Sequence, residues 1–199
     1  MSKTLQFTIQ LMGSKPLIWR TFKVSDSYRL DRFHQVIQIV MGWHNAHLHE
    51  FRIKERQFGM LMGDGFDFPE VEDETTIFLK DLSLEQGVMI SYLYDFGDSW
   101  EHLIKLEEIT TENLEVPVCL EGERAGPPED CGGVWGYSDL LQILKKPSDP
   151  EYDSWIEWLP EGFDPTKFPK RSINSELKKF GKWHNKNPSA KSTPWHFVR

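Results

Sequence analysis

Cysteine is scarce: Cys119 and Cys131 are the only two in 199 residues, with eleven positions between them. Two thiols cannot build the disulfide framework of a small secreted protein, and they supply half of a four-ligand structural zinc set, so both are expected to be reduced. Long apolar runs are missing too, none approaching the ~18 residues that suggest a membrane span. The opening residues, Met1 to Gln6, run into a strand-like alternation without the apolar core of a signal peptide. These absences argue against export and membrane insertion and point to the cytoplasm. There is no internal repeat, no glycine-rich phosphate loop and no His-Arg-Asp triplet. The string Asp95-Phe96-Gly97 therefore stands without the rest of the protein-kinase machinery whose magnesium-binding triplet it matches. Acids are nearly absent from residues 166–199, where one faces nine Lys/Arg, whereas residues 1–165 hold thirty acids and fourteen bases. The net charge of -8 is thus about -16 on the body and about +8 on the C-terminal stretch. Such a body repels phosphate backbones and suits cations or a basic protein or peptide; the basic stretch neutralises it in cis or contacts nucleic acid.

What is present is ordinary globular patterning. A chain this long can bury about 70% of its unfolded surface in one core. Leu5, Phe7, Ile9 and Leu11 alternate with polar neighbours, and the pattern resumes at Ile18 after Gly13-Ser14-Lys15-Pro16, which predicts an opening hairpin. Leu30, Phe33, Val36, Ile37 and Val40 follow helical spacing up to Gly42, a stop signal. Short strands are predicted at 48–53 and 57–61, a mobile acidic loop at 63–74, and a strong hairpin from 88–94 to 100–109 with Phe96-Gly97 at its tip. That tip would set Asp95 opposite Asp98, Leu93 opposite Trp100 and Ser91 opposite His102. Residues 117–136 are too rich in Gly and Pro for regular structure. Helices return at 138–145, at 150–159 behind a Ser148/Glu151 capping box, and at 172–183. The expected fold is α+β: a single domain over residues 1–185, with a mixed, mostly antiparallel sheet, one N-terminal helix packed on it and a C-terminal cluster of helices. Residues 186–199 read as a basic, disordered tail.

Chemistry concentrates in three stretches expected to meet in one cleft. In Trp43-His44-Asn45-Ala46-His47-Leu48-His49-Glu50, strand alternation would put His47 and His49 on one face about 6.6 Å apart, close enough for two imidazoles to share a metal ion. Hydrogen-bonded structural histidines are the plainer reading. In the stretch from Tyr94 to His102, Asp95 and Asp98 could share a cation or work as an acid/base pair, with Trp100 beside them and His102 as a candidate general base. Both aspartates could equally cap the turn. The third stretch, Cys119 to Gly133, is a shaped acidic loop in which Glu129 and Asp130 are candidate ligands for a cation or basic peptide. The candidates are thus Trp43, Asp95, Asp98, Trp100, Glu129 and Asp130 for ligand binding, His47, His49 and Asp95 for a divalent metal ion, and His102 and Asp98 for catalysis.

Taken in order, Pro16-Leu17-Ile18-Trp19-Arg20, Met41-Gly42-Trp43 with His47-Leu48-His49-Glu50-Phe51, Tyr94-Asp95-Phe96-Gly97-Asp98-Ser99-Trp100-Glu101-His102, and Pro127-Pro128-Glu129-Asp130-Cys131-Gly132-Gly133 resemble the plasmid pRiA4b ORF-3-like family. The resemblance covers about residues 4–175. It implies one α+β domain, no established activity, and an association with mobile elements, where some relatives carry resolvase labels. The residues oppose that label, because recombination at phosphates needs a nucleophilic Ser among arginines and these stretches are acidic. Arg29-Leu30 stands where the family has Thr-Leu, and Cys131 where a small apolar residue is expected. Three functions remain open: a binding or accessory module using the acidic Asp/His/Trp cleft, a metal-dependent hydrolase using His47, His49 and Asp95 or Asp98, and a nucleic-acid accessory protein acting through residues 166–199.

Overall fold

The computed structural model describes residues 2–61 and 71–190. Strands β1 (Thr4–Leu11) and β2 (Ile18–Ser25) form the opening hairpin, and helix α1 (Leu30–Met41) follows. Strands β3 (His49–Ile53), β4 (Arg56–Gly59), β5 (Val71–Asp73), β6 (Met89–Tyr94), β7 (Trp100–Thr110) and β8 (Val118–Glu123) come next. Helices α2 (Gly133–Ile143), α3 (Tyr152–Trp158) and α4 (Lys170–Lys186) close the chain. The strands make one eight-stranded sheet in the order β5-β4-β3-β6-β7-β1-β2-β8. Every pairing is antiparallel except β4 with β5, so the fold is α+β with a mixed sheet, as the sequence pattern implies.

Helix α1 is the centre of the core. Its apolar stripe lies on the sheet, where the Phe33 ring meets Phe7 at 5.0 Å, Phe22 at 6.0 Å and Phe51 at 5.8 Å. Its other side is covered by α4, with the Arg32 guanidinium 4.8 Å from the Trp183 ring centroid. Every residue of the helix except Asp31 is buried. Gly42 ends it at φ 86°, the left-handed conformation that glycine adopts without a Cβ penalty, and donates its N–H to the Gln38 carbonyl.

Five sequence expectations are corrected. The β6/β7 hairpin turns through residues 95–99 and pairs Tyr94 with Trp100 and Tyr92 with His102, one position off the predicted register. A two-residue turn at Phe96-Gly97 does not form because Asp95 (φ 56°) and Ser99 (φ 51°) both take left-handed backbone and Ser99 N–H bonds the Asp95 carbonyl at 2.7 Å. The slip puts Tyr92 and Tyr94, rather than Ser91 and Leu93, beside His102 and Trp100. Residues 117–136 do hold regular structure, β8 and the start of α2. Gly122 sits inside β8 because a Cβ there would lie 2.7 Å from the Arg20 side chain. Within the predicted 63–74 loop, Val71–Asp73 is strand β5, and residues 62–70 lie outside those described. The Ser148/Glu151 capping box is not made, since Glu151 itself is the N-cap of α3 and donates its N–H to Asp149 Oδ1 at 3.1 Å. Residues 191–199 of the expected tail lie outside those described, whereas its start at Lys186 is the last turn of α4.

Candidate functional site where three loops meet

The segments around residues 44–47, 95–98 and 126–133 are in contact, and glycine sets how closely. A Cβ on Gly126 would stand 1.8 Å from the Met41 carbonyl oxygen, and one on Gly133 would stand 2.3 Å from that of Asp98. The acidic loop is thus pressed against the end of α1 and against the β6/β7 turn. Glu129 joins all three segments: one oxygen accepts from the Tyr94 hydroxyl and the other from His44 N–H at 3.1 Å. The Tyr94 oxygen in turn accepts Ala46 N–H at 3.0 Å and His47 N–H at 3.4 Å, fixing the backbone just before β3. Burial and the neighbouring Glu129 push the Tyr94 phenol far above its ordinary range, so it stays a donor.

Three ionisable side chains converge beside this junction. His47 Nε2 lies 3.1 Å from Asp130 Oδ1 and 3.7 Å from Asp95 Oδ2, without an aligned hydrogen bond to either. The donor atoms of His47, Asp95 and Asp130 all fall within 4.8 Å of one another. Asp95 and Asp130 both hold left-handed backbone, at φ 56° and 59°. Such positions cost energy outside glycine, least for Asp and Asn, and cluster at functional sites. Asp95 Oδ1 accepts Gly97 N–H at 2.9 Å, which leaves Oδ2 as the oxygen nearest His47. Asp98 is spent differently, accepting Gly132 N–H at 3.2 Å and tying the turn to the acidic loop.

The other predicted residues lie elsewhere. His49 does not share a site with His47, because β3 begins at His49 and His47 precedes the strand alternation. It points into the core, where Nε2 is 2.7 Å from Glu74 Oε2 and the ring stacks on His34 at 3.4 Å. His102 is buried on β7 against the edge of Trp43 at 5.1 Å. Its nitrogens lie near the backbones of Tyr92 and Trp100 in no well-formed hydrogen bond, and burial lowers its pKa to about 3. It has no path to solvent as a general base. Trp43 and Trp100 are also buried and form the floor beneath the site: the Trp43 ring packs on Tyr94 at 5.0 Å and its Nε1–H donates to the Pro127 carbonyl at 2.9 Å. Burial lifts the Cys119 thiol to about 11 and the Cys131 thiol to about 12, so neither offers a thiolate for zinc.

A second buried polar network escaped the sequence reading. His34 Nδ1 meets the Tyr92 hydroxyl at 2.8 Å, His34 Nε2 meets Asn45 Oδ1 at 2.5 Å, and Gln38 Nε2–H donates to Tyr92 at 3.0 Å. The available signal was His34 and Gln38 four apart in a helix otherwise apolar on that face.

Beside the three-donor cluster runs an open groove of about 440 Å³ between the end of α1, the acidic loop and the segment after α3. Arg20, fully buried in its wall, gives its guanidinium hydrogens to the carbonyls of Val40, Trp19, Glu123 and Arg124 at 2.7 to 2.9 Å. Burial lowers its pKa to about 10, with no carboxylate among the described residues paired to it.

An eight-stranded α+β domain with a His/Asp/Asp cluster where three loops meet defines a class with a compact polar site on a sheet-and-helix scaffold. The chain belongs to the plasmid pRiA4b ORF-3-like family, whose sequence profile matches residues 3–172. It is 34% identical over 158 residues to the uncharacterized protein y4hQ of Sinorhizobium fredii, covering 79% of this chain and 81% of that one. It also resembles the crystal structure of a protein of unknown function from Methanosarcina mazei Go1, with a TM-score of 0.76 and 33% identity over 86% of this chain and 97% of the other. Neither relative carries an established activity. Among the described residues no helix is long and apolar enough to cross a membrane.

Proposed function

We propose that the chain is a cytoplasmic binding module whose acidic cleft holds a divalent cation in His47, Asp95 and Asp130. The observation that carries this reading is the convergence of those three donors within 4.8 Å. Coordination bonds of ~2.0–2.1 Å set neighbouring donors roughly 3.0–3.4 Å apart; the His47–Asp130 distance of 3.1 Å falls inside that range and the His47–Asp95 distance of 3.7 Å lies a few tenths of an ångström above it. Two carboxylates this close repel each other unless a proton or cation lies between them, and the His47 nitrogen facing them lacks an aligned partner. A mixed oxygen and nitrogen set suits Mn²⁺ or Zn²⁺ better than a thiolate-loving ion.

Calorimetric titration with Mn²⁺ and Zn²⁺ tests it. One equivalent is expected for the native chain and at least about tenfold weaker binding for His47→Ala and Asp95→Ala. His49→Ala should leave the affinity unchanged. Unweakened binding in His47→Ala would remove the reading.

One feature favours hydrolysis as a second reading: three protein ligands, as in catalytic zinc centres, leave coordination positions open to water. His49 and His102 take no part in that version. Metal-dependent turnover of a phosphate or carboxylate ester lost in Asp95→Ala would support it, and an inert metal-loaded protein would retire it.

A further inference from the structure

The groove beside the cluster has no part in holding the cation, yet the two are continuous through Asp130, which belongs to both. Its far wall is apolar, made by Trp158, Pro160, Phe163 and Ile173. Helix α3, which supplies Trp158, has no buried residue, and Trp158 and Ile156 remain 46% and 47% exposed. Among the described residues, the aromatic surface that this helix turns to solvent leaves apolar area for a ligand to cover. The volume of about 440 Å³ lies within the range of small-ligand sites.

Charge fixes the kind of ligand. A bound divalent cation offsets Asp95 and Asp130. The remaining described carboxylate of the lining, Glu129, already accepts two hydrogen bonds, and the buried Arg20 guanidinium in the same wall has carbonyls, and among the described residues no carboxylate, for partners. The loaded groove is therefore close to electroneutral, which disfavours both a second cation and a free anion. A neutral oxygen donor on an apolar body matches it.

We infer that the groove takes an apolar side chain of a peptide whose neutral backbone carbonyl completes the coordination of the cation. This rests on the cation reading above. The probes are N-acetyl-L-phenylalaninamide and, lacking the side chain, N-acetylglycinamide, titrated calorimetrically against Mn²⁺-loaded and metal-free protein. The phenylalanine amide should bind the loaded protein at least about tenfold more tightly than the glycine amide, a factor equivalent to burying roughly one aromatic side chain in part. It should also bind the loaded protein better than the metal-free one.

Trp158→Ala should weaken the phenylalanine amide about tenfold while leaving Mn²⁺ affinity and the circular dichroism spectrum unchanged, and Trp158→Phe should restore most of the loss. Equal binding of the two amides, or indifference to Trp158→Ala, overturns the groove assignment alone. Equal binding with and without Mn²⁺ overturns the carbonyl-to-cation contact. Failure of the native chain to bind Mn²⁺ overturns the cation reading and this inference with it.

Discussion

His34 and His102 are fully buried, and the cost of desolvating a charged ring lowers both to about 3 from an ordinary 6.5. Between those values the unfolded chain takes up protons that the folded chain refuses. Their contribution to stability is complete above about pH 6.5 and is lost as pH falls toward 3, by up to about 1.4 kcal/mol per pH unit for each ring. His49 and Glu74 titrate as a pair. Burial raises Glu74 to about 7 and lowers His49 to about 3, so the folded pair keeps one proton through the weakly acidic range and resists a second. Below about pH 4.5, the ordinary value of an unfolded glutamate, the pair adds to the loss. Urea unfolding at pH 7.5, 5.5 and 4.5 should show this decline. His102→Phe, which replaces two poorly bonded nitrogens with carbon in an aromatic pocket, should keep stability at pH 7.5 within about 1 kcal/mol and flatten the slope by about one ring's share. An unchanged slope would mean that His102 charges freely in the folded chain. At Gly126, alanine must displace the Met41 carbonyl or the loop itself, so Gly126→Ala should cost about 1–3 kcal/mol in the same assay and weaken Mn²⁺ binding.

At the level of elements, the outer rim of β8 is closed by one side chain: Asn174 on α4 accepts Cys119 N–H at 2.8 Å and donates to the Cys119 carbonyl at 2.9 Å, pairing as a neighbouring strand residue would. Asn174→Ala leaves both groups without partners and should lower unfolding free energy by about 1–3 kcal/mol. The elements legible in the sequence were those whose burial is one-sided. β1, β2 and β7 alternate cleanly, and α1 and α4 repeat Phe33 to Ile37 and Ile173 to Leu177 to Phe180 at helical spacing. β8 was illegible because its glycine serves Arg20, a residue a hundred positions away. The β6/β7 register was illegible because it depends on left-handed backbone at Asp95 and Ser99, which non-glycine residues do not advertise. The three candidate stretches could be named from composition, since Asp, His, Trp and Gly crowd there. Which atoms face one another could not. Placing His47 on a strand put it with His49, whereas the Tyr94 hydroxyl holds residues 46 and 47 outside β3 and turns His47 toward Asp95 and Asp130.

For the whole molecule, α4 changes how the charge asymmetry is tested. Arg171, Lys178, Lys182 and Lys186 are exposed on its outer side, while Ile173, Leu177 and Phe180 are buried beneath. Deleting residues 166–199 would therefore strip the core, and charge reversal is the informative change. Any affinity for a DNA duplex should fall steeply with salt and vanish in a Lys178→Glu, Lys182→Glu, Lys186→Glu triple variant. Binding that survives the reversal would exclude this face. Cation binding should register globally: at a hundredfold excess over Kd, linkage adds about 2.7 kcal/mol and raises Tm by roughly 5–10 °C, a shift that the tenfold weaker binding of His47→Ala should cut to about half or less in a melting assay. The stopper that Asn174 forms has a counterpart across the sheet, where the last strand is three residues long and two of them are acids. A stray strand arriving from another copy finds one margin already taken and the other too short and too negative to zip onto. Among the described residues, the two edges of the sheet thus offer an incoming strand little to pair with.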